Sequence, residues 1–339
     1  MIIRDGKLVE VTNEDLDCSA YTVKDGVRII GKGAFSGCKI QYVSLPQSVE
    51  VIEEEAFMDC IDLISVKGGE NVKEVGARAF LNCYHLNSIS MYLSDKIKVI
   101  EDGTFCNCFN LNKFVFPTYL EKIGKEAFYD SNIEKVCLHN CITEIGERAF
   151  NGCWNLKEIF IADYDTNEKD LDRPSLIIEK SAFADCKRLL TVSLPNYLKE
   201  IKDGVFSNCK MLHSLYIPDS VTKIGAFAFS DCSSLKFIHI SNNVKEVGAF
   251  AFIGDNNLEY DKSIPAFAKF PKKIFQDIIE KKYIEGKVPF KRDDGFSISF
   301  QYNPFLIFNG YDKTQSGIID SDFIIVAIEP VGVEFNGFP

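Results

Sequence analysis

One internal repeat constrains this chain more than any other feature: an Ala-Phe-x-x-Cys-x-x-Leu signature recurs ten times in 339 residues. Its anchor phenylalanines are Phe35, Phe57, Phe80, Phe105, Phe128, Phe150, Phe183, Phe206, Phe229 and Phe252, spaced by 22, 23, 25, 23, 22, 33, 23, 23 and 23 residues. Ile or Val stands five residues before every anchor, at Ile30, Ile52, Val75, Ile100, Ile123, Ile145, Ile178, Ile201, Ile224 and Val247. A unit of about 23 residues cannot bury its own apolar stripe, so the units must stack and share a continuous core.

Inside each unit the residue types report packing. Ala precedes the anchor in eight of ten copies, which marks a turn too tight for a larger side chain. Six residues after the anchor comes Leu, or Ile one residue earlier in two shorter copies, Ile40 and Ile133. An apolar-x-apolar pair follows, as in Val43/Leu45, Ile89/Met91, Val192/Leu194 and Leu215/Ile217. This alternation predicts a short strand with one buried face. Pro46, Pro117, Pro195 and Pro218 end it by withholding a ladder donor.

The run Ile224-Gly225-Ala226-Phe227-Ala228-Phe229-Ser230-Asp231-Cys232 is a nearly complete copy of Ile-Gly-x-x-Ala-Phe-x-x-Cys. It resembles the BspA-like class of leucine-rich repeats, found in bacterial surface proteins and some protists. The resemblance covers roughly residues 21 to 262. It implies a leucine-rich-repeat solenoid of ten repeats with short parallel strands, whose surface serves to bind another macromolecule. The chain lacks the Asn that follows the strand in commoner leucine-rich repeats, so their curvature does not transfer.

Twelve cysteines invite a disulfide or zinc reading, but Cys38, Cys60, Cys83, Cys108, Cys153, Cys186, Cys209 and Cys232 occupy one repeat position. Equivalent positions on stacked turns point the same way, whereas a disulfide needs facing Cβ vectors. The expectation is a column of buried thiols packed as small apolar groups. Cys106-x-Cys108 and Cys137-x3-Cys141 lack the paired spacing of structural zinc sites, so no metal is expected. The insertion that widens one spacing, Asp163 to Asp172, opens like a calcium loop. It then places Glu168 where the loop needs Gly and Pro174 where it needs Glu, and reads as a solvated acidic loop.

The ends depart from the repeat. Residues 1–20 hold two apolar segments around Asp5-Gly6, a hairpin signal, and read as a cap. Residues 21–262 read as the solenoid, fading where Asp255 replaces Cys and Asp261 replaces a strand aliphatic. Residues 263–339 read as a small α+β module: an amphipathic helix from Pro271 to Lys282, covering the last repeat, then strand-like runs at 296–302, 305–308, 322–328 and 331–335.

A net charge of -11 without a basic face argues against nucleic acid. No apolar run approaches the roughly 20 residues that span a bilayer, so membrane insertion is not expected. As written the chain has no signal peptide and reads as cytoplasmic, or as secreted or surface-displayed if a leader was trimmed. Its unpaired thiols fit a reducing compartment. His85, His139, His213 and His239 sit in no nucleophile, metal or phosphate motif, so neither catalysis nor a cofactor is expected. The remaining candidates are the outward strand positions, where Tyr42, Phe160, Tyr216, Phe237 and His239 are placed as partner-binding residues. The expected function is a protein-interaction scaffold. The alternatives are a glycan-binding or cell-surface adhesin, and an enzyme or regulator acting through the C-terminal module.

Overall fold

The Ile or Val five residues before each anchor lies in a second, short strand, so most turns feed two parallel sheets where the repeat pattern predicted one. A computed structural model describes residues 1–89, 95–163, 174–241, 243–248, 250–252, 254–255, 259–260, 287–291, 297–301, 318–319 and 324–326. The chain divides into two units, Met1–Pro195 and Asn196–Pro339.

In the first unit the predicted strands after the repeat Leu form one parallel sheet of Ala20–Thr22, Tyr42–Leu45, Ser65–Gly68 and Ser88–Ile89. A second parallel sheet holds Lys135–Leu138, Glu158–Ile161 and Thr191–Ser193. Their side chains alternate in and out, as in the Tyr42–Leu45 strand, where Val43 and Leu45 are buried and Tyr42 and Ser44 are exposed. Residues 112–116 carry the same pattern but form no strand, against expectation. The reason is bulk: Phe114 and Phe116 stand where other turns have aliphatics. The Phe114 ring packs edge-on against the anchors Phe105 and Phe128, at 5.3 and 5.1 Å. Ser90 and Met91 lie outside the described residues.

The short strands sit in register across turns. Ile30 pairs with Ile52 and Ile52 with Val75, and further on Ile100, Ile123, Ile145 and Ile178 align in the same way. The Gly that follows several of these residues permits close backbone approach. A Cβ on Gly146 would lie 2.5 Å from the Gly124 carbonyl carbon of the preceding turn, and one on Gly76 2.4 Å from the Glu54 nitrogen.

Between the two strands the chain makes a tight turn carrying the anchor. The Phe35, Phe57, Phe80, Phe105, Phe128, Phe150 and Phe183 rings are fully buried and stack at centroid distances from 4.7 to 5.4 Å. The anchor amide donates to the carbonyl of the residue before the next anchor, as from Phe57 to Ala79 and from Phe128 to Ala149. These bonds hold the Ala positions at the backbone contact between turns. Two residues per turn take positive φ: the one two before the anchor (Glu55, Arg78, Glu126, Arg148) and the one two after it (Asp59, Asn82, Asn107, Asp130). At the second, all ten copies are Gly, Asn or Asp, the types that tolerate this conformation.

The N-terminal hairpin forms as expected. Ile2–Arg4 pairs antiparallel with Lys7–Glu10 across Asp5 and Gly6, both at positive φ, and Lys7–Glu10 then pairs in parallel with Ile29–Ile30.

The second unit repeats the plan with Phe206, Phe229 and Phe252 stacked at 5.7 and 5.3 Å. Its wider sheet holds Ser214–Tyr216, Phe237–His239 and Glu259–Tyr260, and its other sheet Glu200–Ile201, Lys223–Ile224 and Glu246–Gly248. From the C-terminal segment, Ile324–Val326 pairs in parallel with Glu246–Gly248 and Ile318–Ile319 adds an antiparallel edge. Part of the expected separate module therefore extends a repeat sheet. Lys287–Lys291 and Ser297–Gln301 pair antiparallel. The helix expected over 271–282, the runs 305–308 and 331–335, and residues 164–172 of the insertion lie outside the described residues.

Candidate functional site

Alternation along each strand decides which side chains face solvent, and parallel pairing decides which of them are neighbours. In the first unit Tyr42 is 46% exposed on its strand, with Ser65 opposite it in register. Phe160 is 52% exposed and lies in register between Cys137 and Ser193. Beside it Lys135 and Glu158 close an ion pair of 2.9 Å, whose hydrogen bond raises the Lys135 ammonium above the usual lysine range. Tyr42 and Phe160 belong to different sheets of this unit and do not meet.

In the second unit the candidates cluster. Tyr216 and His239 are register partners whose rings stack at 4.7 Å and 2°. Phe237 and His213 meet edge to face at 5.6 Å, and the Lys236 ammonium lies 5.0 Å from the Phe237 ring centre. Tyr216 and Phe237 keep 54% and 46% of their surface exposed, so this mutual packing leaves ring area open to a partner.

The opposite sheets answer differently. Cross-turn ion pairs cover them: Arg28–Glu50–Lys73 at 2.9 and 3.1 Å, Lys32–Glu54–Arg78 at 2.8 and 2.6 Å, and Lys122–Glu144 at 3.0 Å. In the second unit Lys223 lies 3.5 Å from both Glu200 and Glu246. A groove of 740 Å³ over this side of the first unit is floored by Val51, Ile52, Val75 and Val99 and rimmed by Lys32, Glu54, Lys73 and Glu74. Much of its rim charge is satisfied within the protein.

One row escaped the sequence reading. Ile61, Tyr84, Phe109 and Trp154 each directly follow the column position of Cys, and all are exposed. Tyr84 stacks on Phe109 at 5.1 Å, and His85 Nδ1 lies 2.7 Å from the Ile61 carbonyl oxygen. The signal was present as a large apolar residue at one fixed repeat position in four turns.

The thiol column carries no reactive group. In the first unit Cys60, Cys83, Cys108, Cys153 and Cys186 are buried, and each Sγ donates to the carbonyl of the previous turn's anchor, as from Cys60 to Phe35 at 2.9 Å. Burial pushes the Cys153 thiol up to about 12 and the less buried Cys106 up to about 11, away from the thiolate that nucleophilic or metal chemistry requires. Among the described residues no three His, Cys, Asp or Glu side chains converge to hold a metal ion, and no helix is long and apolar enough to cross a membrane.

Comparison with known proteins gives a family and a set of folds. The sequence pattern of the family described as BspA type leucine rich repeat region matches in six copies over residues 14–93, 90–171 and 162–280. Among solved structures, the chain is similar to a leucine rich cell surface protein from Faecalibacterium prausnitzii. The two are 22% identical, with 72% of this chain and 89% of that one covered and a TM-score of 0.37. It is also similar to the pneumococcal vaccine antigen PcpA, at 20% identity, 72% and 69% coverage and a TM-score of 0.46. A leucine-rich repeat protein from Bacteroides ovatus matches at 21% identity, 72% and 84% coverage and a TM-score of 0.36. No curated protein matches the chain.

Proposed function

Because the chain belongs to the BspA-type leucine-rich-repeat family, we propose that it is a non-catalytic binding scaffold whose wide strand faces take a protein partner. The observation that carries this reading is the contrast between the two sides of each unit. Ion pairs between turns neutralise the short-strand side, while the wide strands leave Tyr42, Phe160, Tyr216 and Phe237 about half exposed. Half-exposed rings on a rigid sheet are typical anchors, because their large apolar area is ordered before binding and loses little entropy on contact.

The test is an affinity capture from source-organism lysate with three chains. These are the wild type, a Phe160→Ala/Tyr216→Ala/Phe237→Ala variant, and a Glu50→Gln/Glu54→Gln variant altered on the ion-paired side. A protein held by the first and third and lost by the second supports the reading, with a loss of about 2 kcal/mol of binding for each ring that anchors it. Equal capture by all three chains removes the wide strand faces as the site.

A glycan ligand is the second reading, favoured by the exposed Phe160 and Tyr216 rings, since sugars stack on such faces. Display at a cell surface, which its name states for the Faecalibacterium relative, would bring these rings before such ligands. Glycan-array binding lost on Tyr216→Ala/Phe237→Ala would select it over the protein partner.

A further inference from the structure

Asp255 sits where the second unit's other turns place the column thiol, three residues after the anchor Phe252, as Cys232 follows Phe229 and Cys209 follows Phe206. It is 6% exposed, and neither carboxyl oxygen has a hydrogen-bond partner among the described residues. The neighbouring member of the column is a neutral donor: Cys232 Sγ gives its hydrogen to the Phe206 carbonyl, 3.1 Å away. By repeat register, the carbonyl equivalent to Phe206's for residue 255 is that of Phe229. An ionised carboxylate has no hydrogen to give it, whereas a protonated one does.

We propose that Asp255 is a proton-dependent clasp on the last turn of the second unit: as a neutral acid it completes the column's donor pattern against the Phe229 turn, and on ionisation it releases that turn. The charged or titratable groups facing it from the preceding turn, among the described residues, are Asp231 and the Cys232 thiol, and neither is a cation. Burial is the largest cause that pushes the Asp255 carboxyl up, to about 10, and the Cys232 and Asp231 side chains add to it. The Cys232 amide is the one attraction toward the charged form, and it makes no hydrogen bond to either oxygen.

The direction of the pH dependence follows from the proton count. In the opened turn the carboxyl is solvated and titrates near the ordinary aspartate value of about 3.9. The closed turn holds its proton to much higher pH. Closing therefore takes up one proton between those limits, so the clasp is strongest below about pH 4 and weakens as pH rises toward the closed-state value.

Amide hydrogen exchange on the full chain reads this directly, after correction for the intrinsic pH dependence of exchange. The reporters are the Phe229 amide, which donates to Ala251, and the Ala251 amide, which donates to Gly248. Between pH 5 and 8 the opening equilibrium of these amides should rise toward tenfold per pH unit. The Phe128 amide of the first unit should show no such slope. Asp255→Cys, which restores the residue used elsewhere in the column, should flatten the slope, and so should Asp255→Asn, which keeps the shape and a donor without the titration. A flat profile in the wild type overturns the proposal, and so does an unchanged slope in Asp255→Cys.

Discussion

At the scale of the residue, most of the repeat signature answers to backbone geometry. The position two after the anchor is Gly, Asn or Asp in every copy because the chain takes positive φ there, as at Asn82 and Asn107. The amides of these residues also link turns: Asn107 Nδ2 donates to Asn82 Oδ1 at 2.8 Å and Asn82 Nδ2 to Asp59 Oδ1 at 2.7 Å. The Ile-Gly pair has another cause, the approach of one turn's backbone to the next. Gly146→Ala places a methyl 2.5 Å from the Gly124 carbonyl carbon, a contact that only a backbone shift relieves. It should cost about 1–3 kcal/mol in chemical denaturation, and a change within 0.3 kcal/mol of zero would show that the turns separate freely.

At the scale of the element, the short strands form a ladder of alternating charge. Glu50 is held below the usual carboxylate range by hydrogen bonds from Lys73 and Arg28, and Glu54 by those from Lys32 and Arg78. A lowered carboxylate stabilises the fold above its unfolded value of about 4.3 and loses that contribution as pH falls through the folded one. The melting temperature of the wild type should therefore drop more between pH 5 and 3 than that of Glu50→Gln/Glu54→Gln. The difference should shrink in 1 M salt, because both acids lie at the surface. Parallel pH profiles for the two chains would mean that the ladder contributes nothing measurable, as many surface pairs do. The wide strands carry the opposite design. Their outward residues are aromatic or small at Tyr42, Phe160, Ser193 and Tyr216, and Lys135–Glu158 is an ion pair set among them.

At the scale of the molecule, each turn is stabilised by its neighbours rather than by itself, so damage in the interior of a unit should spread. Phe128 is fully buried, stacked 5.3 Å from Phe105 and 5.0 Å from Phe150, with Phe114 and Phe116 at its edges. Phe128→Ala should cost about 3–5 kcal/mol. Limited proteolysis should then cut first in the turns around residue 128, and cleavage confined to the ends of the chain would contradict stacking as the source of stability. The anchors, the wide strands, the N-terminal hairpin and the buried thiols were all legible in the sequence, because burial repeats at one position and restricts residue type there. The short second strand was not, since two residues are too few for an alternation to show. Neither was the break at Phe114 and Phe116, where apolar alternation continues but two aromatics take the aliphatic places.

The sequence by itself determined the repeat count, the inward columns and the family, because close packing and positive-φ turns admit few residue types and admit the same ones in every turn. Only the tertiary structure decided which side chains of different turns meet. Tyr216 stacks on His239, Tyr84 on Phe109, and Asp255 is shut in beside Cys232. Tyr216 and His239, Tyr84 and Phe109, and Asp255 and Cys232 are more than 20 residues apart in sequence, and register between turns, not residue type, brings each pair together.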